Sequence, residues 1–188
     1  MKKGLIIGGV IVGIVLLIGI IFGSTYNGLV SIGEEVDGKL ADVSVQLERR
    51  VDLIPNLVNT VKGYAKHEQD VIDSVTTARA NLMNANGAED MAKANQELTS
   101  ALNNLLVVVE NYPELKSNTN FIQLQDELAG TENRIAVARK DYNEAVKQYN
   151  KSVKSFPRNL LAGMFGFEEK EYFEANVSSS DVPEVSFE

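Results

Sequence analysis

The chain is 188 residues long, with no cysteine, no tryptophan and one histidine, His67. Disulfides, zinc–thiolate sites and lipidated cysteines are therefore excluded. Net charge is −8, and because Lys2 and Lys3 are the only charges in the first 23 residues, the other 165 carry a net −10, which argues against a nucleic-acid groove with its basic footprint.

Leu5 to Gly23 contains no charged or strongly polar side chain. Nineteen helical residues span about 28 Å, enough to cross a hydrocarbon core. The competing reading is a cleaved signal peptide. Such peptides have a shorter apolar region, roughly 7–15 residues, and an A-x-A-like site, and Gly23-Ser24-Thr25 is a poor one. An uncleaved anchor is therefore expected, with the lipid bilayer as its partner through residues 5–23. Lys2 and Lys3 place the N-terminus in the cytoplasm and the rest outside. Gly4, Gly8, Gly9, Gly13, Gly19 and Gly23 fall on one half of this helix at 100° per residue. Small residues at such spacing let two membrane helices approach closely, although glycine is also simply common in membrane helices.

Beyond residue 25, apolar residues recur at steps of four and three. Positions 29, 36, 43, 50, 57, 64, 71 and 78, with companions 33, 40, 47, 54, 61, 68, 75 and 82, are apolar at thirteen of sixteen places. That period belongs to a helix and not to a strand. Pro55 lies inside the run without changing its phase, so a kinked helix is expected, with two helices as the alternative. Gly33 and Gly38 mark a second weak point. Asn84 to Glu89 reads as a turn. A second helix follows through Met91, Leu98, Leu105 and Tyr112 and stops at Pro113. Ser117 to Asn120 offers N-caps for a third helix from Phe121 to Phe156, before Pro157. Leu160 to Phe167 is short and apolar. It is expected to cap an end of the bundle; a second membrane contact is disfavoured by the carboxylates that follow. Glu168 to Glu188 holds seven carboxylates against Lys170, and from Val177 onward disorder is expected.

The fold class expected is all-α: one N-terminal transmembrane helix, then an elongated antiparallel bundle of three long helices and a short C-terminal one. The boundaries are 1–24 for the N-terminus and anchor, 25–167 for the bundle and 168–188 for the acidic tail. A first helix unbroken to Leu82 would far exceed the second in length, leaving part of its stripe for other segments or another copy of the chain.

Catalytic patterns are missing. His67 precedes Glu68, but no second histidine completes H-E-x-x-H, and no P-loop, G-x-S-x-G or G-x-G-x-x-G occurs. No catalytic, cofactor-binding or metal residue is assigned, and no cofactor is expected. The polar residues that stand out are Arg49, Arg50, Asp52 and Asn56 around Pro55, then His67 and Glu68, and Glu132 and Asn133 in the third helix. Arg50 and Glu68 fall on the apolar stripe. Arg50 has a structural reading, a cation paired across the bundle that fixes register, and a functional one, a partner-binding kink. Glu132 and Asn133 are candidates to complete a polar layer with it.

The strings Arg50-Val-Asp-Leu-Ile-Pro-Asn-Leu-Val58 and Val61-Lys-Gly-Tyr-Ala-Lys-His-Glu68 resemble the signature of the LemA family. So do Tyr26-Asn-Gly-Leu-Val30, Leu105 to Lys116, Glu127 to Ala145, Tyr149-Asn150, Phe156-Pro157 and Phe165-Gly-Phe167. Many members carry a tryptophan shortly before the Arg-Arg pair, where this chain has Leu40. The resemblance implies a bacterial membrane protein with one anchor in the cell membrane and an extracytoplasmic helical bundle. It implies no activity. Relatives include a magnetosome protein, in keeping with a membrane-associated structural role. The reading is thus a non-enzymatic scaffold that self-associates as a homo-oligomer, with no nucleic-acid partner. The alternative is a binding module facing a membrane or envelope protein.

Overall fold

A computed structural model describes residues 2–65 and 67–174, with side chains described from Ile6 onward. Six helices make up the described chain: α1 (Lys2–Tyr64), α2 (Gln69–Asn84), α3 (Gly87–Val109), α4 (Pro113–Lys116), α5 (Thr119–Lys154) and α6 (Arg158–Phe165). The all-α expectation holds. The tail from Val177 onward lies outside the described residues.

α1 is continuous from the apolar run into the amphipathic run, through Gly33, Gly38 and Pro55. Its break comes later than the proline, at Ala65–Glu68, so the expected first soluble helix is two helices, α1 and α2. The chain reverses there. Arg79 of α2 reaches Val51 of α1, a pairing centred on residue 65. The reversal also removes the expected length mismatch, since α2 and α3 have 16 and 23 residues.

The described chain falls into two compact units, Met1–Asp42 with Arg139–Glu171, and Val43–Ala138 with Tyr172–Glu188. The second is an up-down-up-down bundle of the later part of α1, then α2, α3 and the first part of α5. Directions follow from the contacts. Ser44 meets Met91, and Arg50 meets Asn95, so α1 and α3 run parallel. Arg50 meets Glu132, and Tyr64 meets Asn118, so α1 and α5 run antiparallel. The core follows most of the predicted stripe: Val43, Leu47, Ile54, Leu57 and Val61 of α1 are buried, as are Val75, Leu98, Leu105, Phe121 and Ile135, whereas Tyr64 is exposed and, past the turn, Ile72 is buried in place of the expected Val71. Each such side chain is worth about 1.5–3 kcal/mol.

Local signals set the ends. Gly87 starts α3 at φ +80, a left-handed conformation that only glycine adopts without strain. Asn118 caps α5, its Oδ1 accepting from the backbone N–H groups of Asn120 and Phe121 at 3.0 and 3.1 Å. Pro113 ends no helix of its own accord but opens the single turn of α4, where its missing N–H costs nothing.

In the first unit α1 carries the apolar run. Every large apolar residue from Ile6 to Phe22 is exposed, between 37% and 71%. Further along, Leu29 and Val36 are buried with Tyr142, Val146 and Tyr149 of α5. α6 ends at Gly166, which turns left-handed at φ 74 while the Phe167 N–H bonds the Ala162 carbonyl at 3.0 Å. An extended segment then returns along the unit. Having no ladder of its own, its backbone is tied by side chains. Asn150 donates to the Lys170 carbonyl and accepts from its N–H, both at 2.9 Å, and Tyr142 donates to the Glu171 carbonyl at 2.8 Å. The Lys170 ammonium lies over the Tyr149 ring, 5.6 Å from its centroid, and pairs with Asp37.

Candidate functional site

Arg50 falls on the apolar stripe of α1, so the helix carries its guanidinium into the second unit's interior, where its side chain is 5% exposed. A buried cation without partners costs several kcal/mol. Two neighbouring helices supply them. Asn95 of α3 accepts from Nη1 at 2.5 Å. Glu132 of α5 brings Oε2 to 2.6 Å of the same nitrogen. Glu132 Oε2 nevertheless makes no well-directed hydrogen bond, and Arg50 Nε has no hydrogen-bond partner. The 2.6 Å approach is therefore a charge contact more than an aligned bond. Burial pushes the Arg50 guanidinium below its usual pKa, and the Glu132 charge opposes that. Glu132 is 45% exposed, so one end of the pair stays wet. Three helices are thus joined by one polar layer. A cavity of about 410 Å³ opens beside it, with Leu57, Leu102, Leu106 and Leu128 in its lining.

The other sequence candidates do not converge on this layer. Arg49 pairs with Glu127 at 3.1 Å on the surface. Asp52, Pro55, Asn56 and Asn133 are exposed on α1 and α5, and His67 is exposed in the α1–α2 turn. Glu68 is half-buried and accepts from the Tyr112 hydroxyl at 2.8 Å, which pins that turn to the connection between α3 and α4. The bond to Glu68, then burial, raises the Tyr112 pKa. Among the described residues, no group of three or more His, Cys, Asp or Glu is placed to hold a metal ion.

Two partners were not evident in the sequence. Asn95 sits one place past the stripe residue Ala94 and looks like a flanking polar residue. Arg79 donates from Nε to the Val51 carbonyl at 3.0 Å. That carbonyl is the one Pro55 cannot bond, four residues on, so the proline itself was the available signal.

A family model described as the LemA family matches residues 39–187. The chain belongs to the LemA family. Curated relatives are the magnetosome proteins MamQ 2 and MamQ 1 of Paramagnetospirillum magneticum, each 26% identical over 187 residues, covering 86% of this chain and 68% of the relative. Magnetosome protein MamQ of Magnetospirillum gryphiswaldense is 24% identical with the same coverage. This LemA protein is a membrane-associated helical protein, attached through its N-terminal apolar helix.

Proposed function

We propose that this LemA protein is a non-enzymatic scaffold of a bacterial cell membrane, which self-associates through its membrane helix. The N-terminus is cytoplasmic and residues 25–167 form an extracytoplasmic bundle. One observation carries the reading: an ideal Cβ at Gly8, Gly9, Gly13, Gly19 or Gly23 meets nothing within 4 Å. Among the described residues, none fills the face at these five glycines. Apolar side chains gain little by leaving lipid for one another, so close backbone approach at small residues is what draws membrane helices together. The name magnetosome protein, carried by the relatives, accords with a structural role at a membrane.

Mass in mild detergent tests it. The full-length protein is expected to form a defined oligomer, and a version starting at Ser24 is expected to be monomeric. Gly9→Leu with Gly13→Leu lowers the full-length mass to monomer. Assembly of both versions would move the interface to the bundle and overturn the glycine face. Two monomers would favour the second reading, a binding module for an envelope protein, which is supported by the leucine-lined cavity beside Arg50.

A further inference from the structure

The first unit keeps an apolar surface at its α5–α6 corner. Leu161 and Ala162 of α6 are buried, but Phe156 is 81% exposed, Leu160 61% and Met164 71%. These three are spaced by four, and within α6 Leu160 and Met164 share one face. Left in water, such side chains forgo roughly 25 cal/mol per Å² of burial.

Two observations say what covers them. Phe165 and Phe167 pack edge-on against Tyr26, with ring centroids 5.0 and 5.7 Å away. Tyr26 follows Gly23, the end of the apolar run, by three residues, about 4.5 Å of helix. A headgroup layer is roughly 5–7 Å thick on each side of the hydrocarbon. The aromatic triplet therefore lies at headgroup depth, where tyrosine is enriched, and it fixes α6 there. The second observation is the course of α5. Tyr149 stands beside Gly33, whose added Cβ would lie 3.5 Å from its ring. Five further residues of antiparallel helix, to the end of α5 at Lys154, carry the chain about 7.5 Å back toward the membrane, and the turn that follows brings Phe156 near the level of Tyr26.

The carboxylates after α6 do not oppose this. Glu169 pairs with Lys154 at 2.7 Å. The segment then leads away from the apolar run, since Lys170 contacts the Gly33 carbonyl and Asp37.

We propose that Phe156, Leu160 and Met164 form a second membrane contact, a wedge set into the lipid interface of the leaflet from which α1 emerges. It clamps the base of the first unit on the bilayer, so that α1 is held at two points.

The chain has no tryptophan, which makes the test direct. Leu160→Trp and Met164→Trp each introduce one fluorophore, and Lys140→Trp, at an exposed place further along α5, is the reference. Each full-length variant is reconstituted in phosphatidylcholine vesicles and its helicity checked by circular dichroism. Emission from 160 and 164 is expected at shorter wavelength than from 140. Lipids brominated high on the acyl chain should quench it more than lipids brominated near the chain end, leaving 140 unquenched. A blue shift without bromolipid quenching would mean that another protein surface covers the wedge, and would overturn the proposal. Emission at the water position from both sites would overturn it too.

Discussion

Arg49 and Arg50 are neighbours with opposite fates, and burial decides what each ion pair is worth. The Arg49–Glu127 pair is about half exposed on both sides, where such pairs contribute roughly 0–1 kcal/mol. Glu127→Ala should change stability by less than about 0.5 kcal/mol. Removing Glu132 leaves Arg50 buried with Asn95 alone, which would cost about 3–5 kcal/mol for a fully buried pair. Because Glu132 is 45% exposed, water replaces part of it, and Glu132→Ala should cost about 1–3 kcal/mol. Urea unfolding of the two variants is the comparison, and equal losses would remove the polar layer from the stability argument. Tyr142 gives a pH signature. Burial, then the Asp37 and Glu171 carboxylates, pushes its hydroxyl up to about 12, against about 10 in an unfolded chain. The folded state thus holds the proton more tightly. Its stabilisation is complete below about pH 10 and is lost as pH rises through about 12. Tyr142→Phe should cost about 1 kcal/mol at neutral pH, for the bond to Glu171, and should lose less stability than the parent between pH 8 and 11. Tyr149, raised by burial and by Asp37 and Glu168, keeps some of the slope. An unchanged pH dependence would discharge Tyr142 from this role.

Among elements, Pro55 explains a contact that its own helix cannot. Proline in a helix interior costs roughly 3 kcal/mol, partly through one missing bond to the carbonyl four residues back. That carbonyl, Val51, accepts from Arg79 of α2 instead, so the proline becomes a docking point between α1 and α2. Arg79→Met should cost about 1–2 kcal/mol in the parent. In the Pro55→Ala background it should cost clearly less, because the restored N–H satisfies Val51 by itself. A double-mutant cycle by thermal unfolding reads the difference, and additive losses would sever the link. The same region shows where sequence reading stops. The stripes of α1, α3 and α5 were legible because burial demands their spacing. The turn at 65–68 was not, because Ala65-Lys66-His67-Glu68 holds neither glycine nor proline, and α2 resumes the same phase at Val75, Ala78 and Leu82. Heptad phase records which residues are buried; it does not record whether the chain has reversed. With that reversal hidden, the register cannot be derived, so the sequence offers Glu132 as a candidate to complete a polar layer with Arg50, 82 residues away, without showing that the two meet.

At the scale of the whole molecule, charge is distributed by position along the chain. The apolar run is preceded by Lys2 and Lys3, and the acidic excess gathers beyond Glu168. Cytoplasmic lysines next to a span resist translocation, whereas acids contribute little to orientation, so the proposed orientation rests on two residues. The absence of cysteine permits a clean test of it. Ser31→Cys adds a thiol at an exposed position beyond the apolar run, and Lys3→Cys adds one before it. In intact spheroplasts a membrane-impermeant maleimide should label the first and spare the second until the cells are lysed. Labelling of position 3 alone would invert the protein and place the bundle in the cytoplasm. Labelling of both would mean that the apolar run does not span the bilayer at all, and a scaffold built on membrane-helix packing would fall with it. Lys3→Cys halves the lysine charge ahead of the apolar run, so protection of that cysteine in intact spheroplasts shows the orientation with Lys2 alone to hold it.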